Sequence, residues 1–368
     1  MKVALVHDWL TGMRGGEKAL EVVCERFPDA EIFTLVHIRG SVSPTIERHR
    51  PQTSFIQRLP LVRRWYRQYL PLFPTAIEQF DFDRFDLIVS LSHCCAKSII
   101  RPGRARHLCY CLTPMRYAWD QFDAYFGAPR IGAIGNRLMR PIMARLARWD
   151  RDTANRVDRY LAISHYVAGR IGRYYNREAT VVYPPVDTDF FHPDAAVPEG
   201  FALVVSALVP YKRLEIAIEA CRLAGVPLTL VGDGPERAHL ERIATGNVRF
   251  LGRRTDEEVR DLYRRCAVTL LPGEEDFGIV PLEAQACGRP VVALGRGGAC
   301  ETVVPGDTGV LVEETTAIAF ADGIRSAIGR RFDPVAIRRH AEQFSRTRFG
   351  DEMEALMRDP RTMMDGQW

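Results

Sequence analysis

Short β-branched runs alternate with helical segments along nearly the whole chain, and this alternation restricts the fold more than any other feature. Residues 3–6, 32–35, 87–91, 108–112, 159–164 and 180–183 form a first series of such runs. The rhythm breaks at Tyr183-Pro184-Pro185, where consecutive prolines impose an extended connection. A second series follows at 201–206, 228–232, 248–252, 268–272, 290–294 and 309–312. Buried strand and helix in succession mark a doubly wound parallel sheet, so the expected fold class is α/β with two Rossmann-like halves.

The segments between the runs carry the helical period. Leu20, Val23, Cys24 and Phe27 share one face after Gly15-Gly16, and Leu214, Ala217, Ile218 and Cys221 repeat the pattern up to Gly225. From Pro334 onward the pattern is helical, with Ile337, Ala341, Phe344, Met353, Leu356 and Met357 as contacts and no further strand. A length of 368 residues exceeds what one core usually supports. The expected division is 1–184, 185–344 and a tail at 345–368.

Composition narrows the function classes. With 46% hydrophobic and 26% charged residues the chain is globular in type. A net charge of +4 argues against a nucleic-acid binder. No apolar run approaches the ~18 residues of a membrane span, and the apolar stretch 3–6 is too short for a signal peptide core. The expected location is therefore the cytosol. Nine scattered cysteines, without the paired spacing of a zinc site, are read as buried thiols, and no metal is expected.

The stretch from Glu274 to Gly288 carries the most chemistry. It follows a strand; Pro281 suits the first turn of a helix, and Gly288 ends it. The N–H groups of Gly278, Ile279 and Val280 then leave a helix N-terminus unpaired, which suits an anion. Glu275, in the loop before, and Glu283, assigned to the first turn, would repel a phosphate and so suit neutral hydroxyls on either side of it. Each has a plainer role open to it: a solvated loop acid for Glu275, and an acid complementing the helix dipole for Glu283. Their placement around Phe277-Gly278 favours the ligand. Lys212, with Arg213, opens a helix after a strand end, where a cation can face a diphosphate. Gly232-Asp233-Gly234-Pro235 is a tight turn at the next strand end. Gly15 and Gly16 let backbone approach a ligand, although their spacing is not the dinucleotide fingerprint; an ordinary glycine-rich connection fits them equally well.

These residues resemble a known family. The segment 275–283, with Lys212, Gly232-Asp233-Gly234-Pro235, Phe250-Leu251-Gly252 and Gly295-Arg296-Gly297-Gly298, is similar to the retaining glycosyltransferases of family 4. Residues 10–17, 110–119 and 209–213 resemble its bacterial mannosyltransferase-like branch of surface-polysaccharide assembly. The resemblance implies a GT-B fold, two facing Rossmann-like domains with a last helix crossing back to the first. It implies hexose transfer, GDP-mannose being the preferred donor, onto a lipid-linked or oligosaccharide acceptor, without a cofactor or metal. By carry-over, Glu283 binds the ribose, Lys212 the diphosphate, and Glu275 with the backbone of Phe277, Gly278, Ile279 and Val280 the sugar and phosphates. Gly15 and Gly16 close over the diphosphate, Gly232 and Asp233 join the donor site, and Gly252 with Arg253 frames the base. Two positions depart from the family pattern: Ala207 where many members carry arginine, leaving Arg213 as second cation, and Leu112 where close relatives carry histidine.

The implied mechanism follows from charge. Lys212, Arg213 and the helix N-terminus stabilise the leaving diphosphate, while the acceptor hydroxyl attacks from the same face with a donor phosphate oxygen as base. Trp9, Arg116 and Tyr117 are acceptor candidates. His93 and His165 also follow strands, where a structural role is the commoner one. Two basic apolar stretches, 58–69 with four arginines and 130–151 with six, suit an anionic membrane surface or, equally for the second, a packed helix with a solvated back. Four other readings compete: a sugar-nucleotide-binding partner without turnover, a transferase using a UDP-sugar and, more remotely, a nicotinamide oxidoreductase and a GT-B epimerase.

Overall fold

The computed structural model describes residues 1–195 and 197–359. It divides into two compact units: residues Met1–Pro185 together with the chain from Thr347 onward, and residues Val186–Arg346.

Unit 1 holds a seven-stranded sheet in the order β3-β2-β1-β4-β5-β6-β7. The strands are β1 (Val3–His7), β2 (Glu31–Thr34), β3 (Gln52–Thr53), β4 (Leu87–Ser92), β5 (Arg106–Cys111), β6 (Arg159–Ala162) and β7 (Ala179–Val181). Every pairing is parallel; Leu5, for example, lies opposite both Ile32 and Val89. The central strands β1 and β4 are buried at every residue, which is why they read as near-continuous apolar runs rather than alternating ones. Strand β3 escapes the sequence pattern because two residues after Pro51 are too few to show any period.

Helix α1 (Gly15–Arg26) buries Ala19, Leu20, Val22, Val23 and Cys24. Helix α2 (Ala128–Asp152) has a break at Gly132. The basic stretch 58–69 folds as a broken series: a 3-10 turn Phe55–Arg58, a short helix Val62–Trp65 and a 3-10 helix Tyr66–Leu72. Leu61 with φ +53° and Pro71 without an N–H interrupt it.

Unit 2 holds a six-stranded sheet in the order β10-β9-β8-β11-β12-β13, also parallel throughout. Its strands are β8 (Ala202–Val205), β9 (Leu228–Val231), β10 (Val248–Gly252), β11 (Val268–Leu271), β12 (Val291–Leu294) and β13 (Gly309–Val312). Helices α3 (Leu214–Ala224), α4 (Ile279–Ala286) and α5 (Pro334–Glu342) flank it. One apolar cluster joins Leu214, Ala217, Ile218 and Cys221 to Leu230, Leu270 and Val292. A second joins Leu203, Val231 and Leu271 to Tyr263, Ala284 and Ala341. The sheet is thus covered by apolar side chains on both faces.

The final helix, α6 (Arg346–Arg358), explains the tail without strands. From Thr347 it belongs to unit 1, with Phe349 against Tyr110 at 5.4 Å and Arg26 bridged to Asp351 at 2.6 Å and Glu354 at 3.4 Å. Met353 and Met357 are buried with Phe349. The cysteines need one correction: eight are buried, but Cys300, in the short helix Ala299–Thr302, is exposed.

Candidate functional site

In each sheet the chain leaves the central pair of strands in opposite directions. That reversal opens a crevice at the strand C-termini, where ligands of open α/β sheets bind. In unit 2 it falls between β8 and β11, and Lys212 and Glu275 follow those two strands. Lys212 ends the 3-10 turn Pro210–Lys212, and Arg213 at φ +53° turns the chain into α3. The Lys212 ammonium is hydrogen-bonded to Glu275 Oε1, both side chains being largely covered, 17% and 11% exposed. The pair bridges the reversal. Arg213 turns instead to Glu215 at 2.8 Å, each about half exposed.

The loop carrying Glu275 is held by the turn after β12. Glu275 and Gly297 form an isolated parallel bridge, and Gly298 N–H donates to the Glu275 carbonyl at 2.8 Å. A Cβ on Gly298 would lie 2.2 Å from Phe277 Cα, so only glycine permits this approach. Gly278 at φ +97° then starts α4, with Ile279, Val280 and Pro281 as its first residues. Their first-turn N–H groups have no partner within the helix.

Glu283 departs from its expected place. It lies in the second turn of α4 and is turned inward, 7% exposed, accepting a hydrogen bond from the Tyr263 hydroxyl at 3.1 Å. Burial, with the Glu283 charge next, holds the Tyr263 phenol well above its ordinary pKa. Tyr263 is a positioning partner that the sequence alone does not single out, because it lies on the buried face of the helix Asp256–Arg265. Gly232 N–H donates to the Gly252 carbonyl at 2.8 Å, which draws the ends of β9 and β10 together. A Cβ on Gly232 would lie 1.8 Å from the Ser206 carbonyl oxygen, so the glycine lets the β9 turn lie against the end of β8. Asp233 caps that turn through Gly234 N–H at 2.8 Å, and Arg253 is exposed beyond Gly252. Lys212, Glu275 and the Phe277–Gly278 corner are therefore wired together, and Gly232 is joined to Gly252 as a second group.

In unit 1 the same reversal falls between β1 and β4. The Asp8 carboxylate accepts four successive N–H groups, from His93 (2.7 Å), Cys94 (3.0 Å), Cys95 (2.6 Å) and Ala96 (2.8 Å), with His93 Nδ1 also at 3.0 Å. Burial alone would raise its pKa; the His93 imidazole and the N–H donors outweigh it and the net direction is down. Asp8, Cys94 and Cys95 have ligand atoms close enough to hold a metal ion. The Asp8 oxygens are committed to backbone, however, and burial keeps both thiols protonated. The cluster holds the loop after β4.

Of the acceptor candidates, Trp9 needs correction. Trp9 is a core residue, 6% exposed, packed on Tyr66, Phe73 and His93, so it offers no stacking face. The Tyr117 hydroxyl is turned inward to Cys94 Sγ at 2.6 Å. Arg116 opens the short helix Arg116–Trp119 and is partly exposed. Gly15 and Gly16 form the first turn of α1, with Glu17 turned back onto Arg14 N–H at 3.1 Å. His7 and Leu112 both border Gly16; His7 was overlooked because it reads as the end of an apolar run.

Two parallel Rossmann-like sheets, each reversing at its central pair of strands, define the fold class. Residues 186–344 match the family model of the glycosyl transferases group 1. A D-inositol 3-phosphate glycosyltransferase of Geodermatophilus obscurus is 32% identical over 266 residues, 62% of this chain and 55% of that protein. The GDP-mannose-dependent alpha-(1-6)-phosphatidylinositol monomannoside mannosyltransferase of Mycolicibacterium smegmatis is 33% identical over 210 residues, 49% of this chain and 54% of that one. The chain spans about half the length of the curated relatives it matches. Among solved structures, Anabaena HepE in complex with UDP-glucose aligns with a TM-score of 0.69 at 20% identity, covering 97% of this chain and 99% of that one. Sucrose-phosphate synthase from Thermosynechococcus elongatus aligns at 0.68 and 18%, covering 97% and 98%. The fold is that of GT-B glycosyltransferases.

Proposed function

We propose that this protein is a retaining, metal-independent glycosyltransferase that moves a hexose from a nucleotide sugar to a lipid-linked or oligosaccharide acceptor, with GDP-mannose the first donor to test. The observation that carries the reading is the Lys212–Glu275 pair spanning the β8/β11 reversal, locked by Gly297 and Gly298 against the start of α4. An arriving diphosphate supplies the Lys212 ammonium with a stronger anionic partner and frees Glu275 to accept hydrogen bonds from sugar hydroxyls. The α4 N-terminus adds fixed positive potential where the leaving oxygen gains charge. The match of residues 186–344 to the glycosyl transferases group 1 supports this, and the mannosyltransferase relative supports GDP-mannose. A UDP-sugar is the second donor to test, since HepE binds UDP and UDP-glucose.

In this reading Glu283 meets the ribose, and Gly252 and Arg253 the base. Arg213 is an outlying cation rather than Lys212's partner. No helix among the described residues is long and apolar enough to cross a membrane; a peripheral position on the cytoplasmic face of the inner membrane is part of the proposal. The test is release of nucleoside diphosphate from GDP-mannose or UDP-glucose by purified protein with a membrane extract, and transfer of labelled sugar. Lys212→Ala and Glu275→Ala should each abolish transfer, and normal turnover in either refutes the assignment. A second reading, a nucleotide-sugar-binding partner without turnover, has Leu112 in its favour, since leucine at that strand end offers no hydrogen bond. Saturable donor binding with neither transfer nor donor hydrolysis would select it.

A further inference from the structure

His7 closes β1 at the edge where the sheet reverses, and its side chain is fully buried. Its Nδ1 lies 3.0 Å from the Trp9 carbonyl oxygen, which can only accept, so Nδ1 carries the proton and Nε2 presents a bare lone pair. Among the described residues that lone pair has no partner, an arrangement natural proteins seldom keep without a use. Burial, the largest influence, lowers the imidazole pKa and keeps it neutral.

The direction of Nε2 is set by Gly16. It lies 3.2 Å from the point where a Cβ on Gly16 would sit, in the first turn of the twelve-residue helix α1. Leu112 Cδ1 lies 2.7 Å from the same point. Leu112 is half-buried, and that methyl is the free end of a flexible side chain, so a ligand reaches Nε2 only if Leu112 changes rotamer. Glycine at residue 16 thus leaves an acceptor beside a helix N-terminus whose N–H groups favour an anion; Glu17, buried in the same turn and the charge that His7 feels most, is held by the Arg14 N–H.

We propose that His7 is a further binding residue, whose Nε2 accepts a hydrogen bond from a hydroxyl of a sugar phosphate with its phosphate at the first turn of α1. The proposal rests on the nucleotide-sugar reading above. The sugar phosphate has two sources, the distal half of the nucleotide sugar or a free sugar phosphate.

The test is calorimetric titration of the full chain with GDP, GDP-mannose and mannose 1-phosphate, for the wild type, His7→Phe and His7→Gln. Phenylalanine fills the ring's space without an acceptor; glutamine returns one near Nε2. His7→Phe should weaken GDP-mannose roughly 3- to 10-fold, the loss of one neutral hydrogen bond, with GDP unchanged and partial recovery in His7→Gln. A loss confined to mannose 1-phosphate identifies the free sugar phosphate as the source. Equal affinities in wild type and His7→Phe overturn the proposal while the donor reading stands; a wild type that binds none of the three probes overturns both. In case His7→Phe does not fold, ¹⁵N-histidine spectra of the wild type give the same decision. The His7 Nε2 resonance should have the position of an unprotonated nitrogen and move with a sugar phosphate but not with GDP. A resonance that stays still for all three refutes the assignment.

Discussion

Gly297 lies so close to Glu275 that a Cβ on it would sit 2.3 Å from the Glu275 carbonyl oxygen, and Gly297 has φ +63°. An alanine there meets both a backbone clash and a left-handed conformation, together about 1–3 kcal/mol of strain. The strand β12 before it is buried at every residue, so the strain should be released in the 274–278 loop. Gly297→Ala is therefore expected to leave the unfolding midpoint within a few degrees of wild type and to weaken nucleotide-sugar binding at least tenfold by titration. Unchanged binding would show that this turn does not hold the Glu275 loop for the donor.

Tyr263 and Glu283 form a buried hydrogen-bonded pair. Removing the hydroxyl leaves the carboxylate short of a donor, a loss of about 1.5–3 kcal/mol for a hydrogen bond to a charged group. Tyr263→Phe should lower the urea midpoint accordingly and weaken nucleoside diphosphate binding less than Glu283→Ala, since it loosens the carboxylate but does not remove it. Stability equal to wild type would mean that water replaces the hydroxyl.

These two cases show what was legible in the sequence. The inner strands of both sheets appear as apolar runs because they are covered on two faces, and Pro281 and Gly288 bracket α4 by backbone chemistry alone. Glu275 and Lys212 stand out because charged residues at strand ends have few structural uses. Tyr263 and His7 stay hidden, because a polar atom buried within an apolar pattern is seen only once its neighbours are known. Trp9 misled for the converse reason: an aromatic after a strand reads as a stacking face until Tyr66 and Phe73 are seen to cover it.

Buried histidines give the stability a pH dependence of known sign. His107 donates from Nδ1 to the Arg156 carbonyl at 3.1 Å and accepts from Ser90 at 2.8 Å, and burial lowers its pKa to about 3. Between that value and the unfolded value of about 6.5, the unfolded chain binds a proton that the folded chain refuses. Stability contributed by the neutral ring is complete above pH ~6.5 and falls by about 1.4 kcal/mol per pH unit below it. Asp8 acts in the same sense at lower pH, its stabilisation being present above about 3.9 and lost as the carboxylate protonates. Urea unfolding at intervals from pH 7.5 to 4.5 should show the fall, and His107→Gln should flatten it by about one proton. A slope unchanged in that variant would rule out His107 as its source.

Cys300 is the exposed thiol among nine, and the other eight are buried. Native protein should therefore react rapidly with one equivalent of a thiol reagent, the remainder following only on unfolding, and Cys300→Ser should abolish the fast phase. Two or more fast equivalents would indicate that the strand-end cysteines of unit 1 open in the native state.

Unit 1 exposes apolar side chains that a solvated surface does not explain. Leu61 is 61% exposed and Trp65 48%, with Arg63, Arg64 and Arg67 exposed between and after them. On α2, Ile134 is 79% and Leu138 63% exposed, with Arg137, Arg140, Arg145 and Arg148 exposed nearby. No acidic residue occurs from 55 to 77 or from 124 to 149. Apolar tips among arginines match the boundary between acyl chains and anionic headgroups, each inserted side chain adding about 1–2 kcal/mol and each nearby arginine about 1. The protein should co-sediment with vesicles containing phosphatidylglycerol but not with pure phosphatidylcholine, and less so as salt rises. Trp65→Ser with Ile134→Ser should weaken that binding about tenfold without changing the unfolding midpoint. If the variant binds as wild type does, these side chains do not enter the bilayer; if neither vesicle type retains the protein, the membrane surface is to be abandoned and the acceptor sought among soluble oligosaccharides.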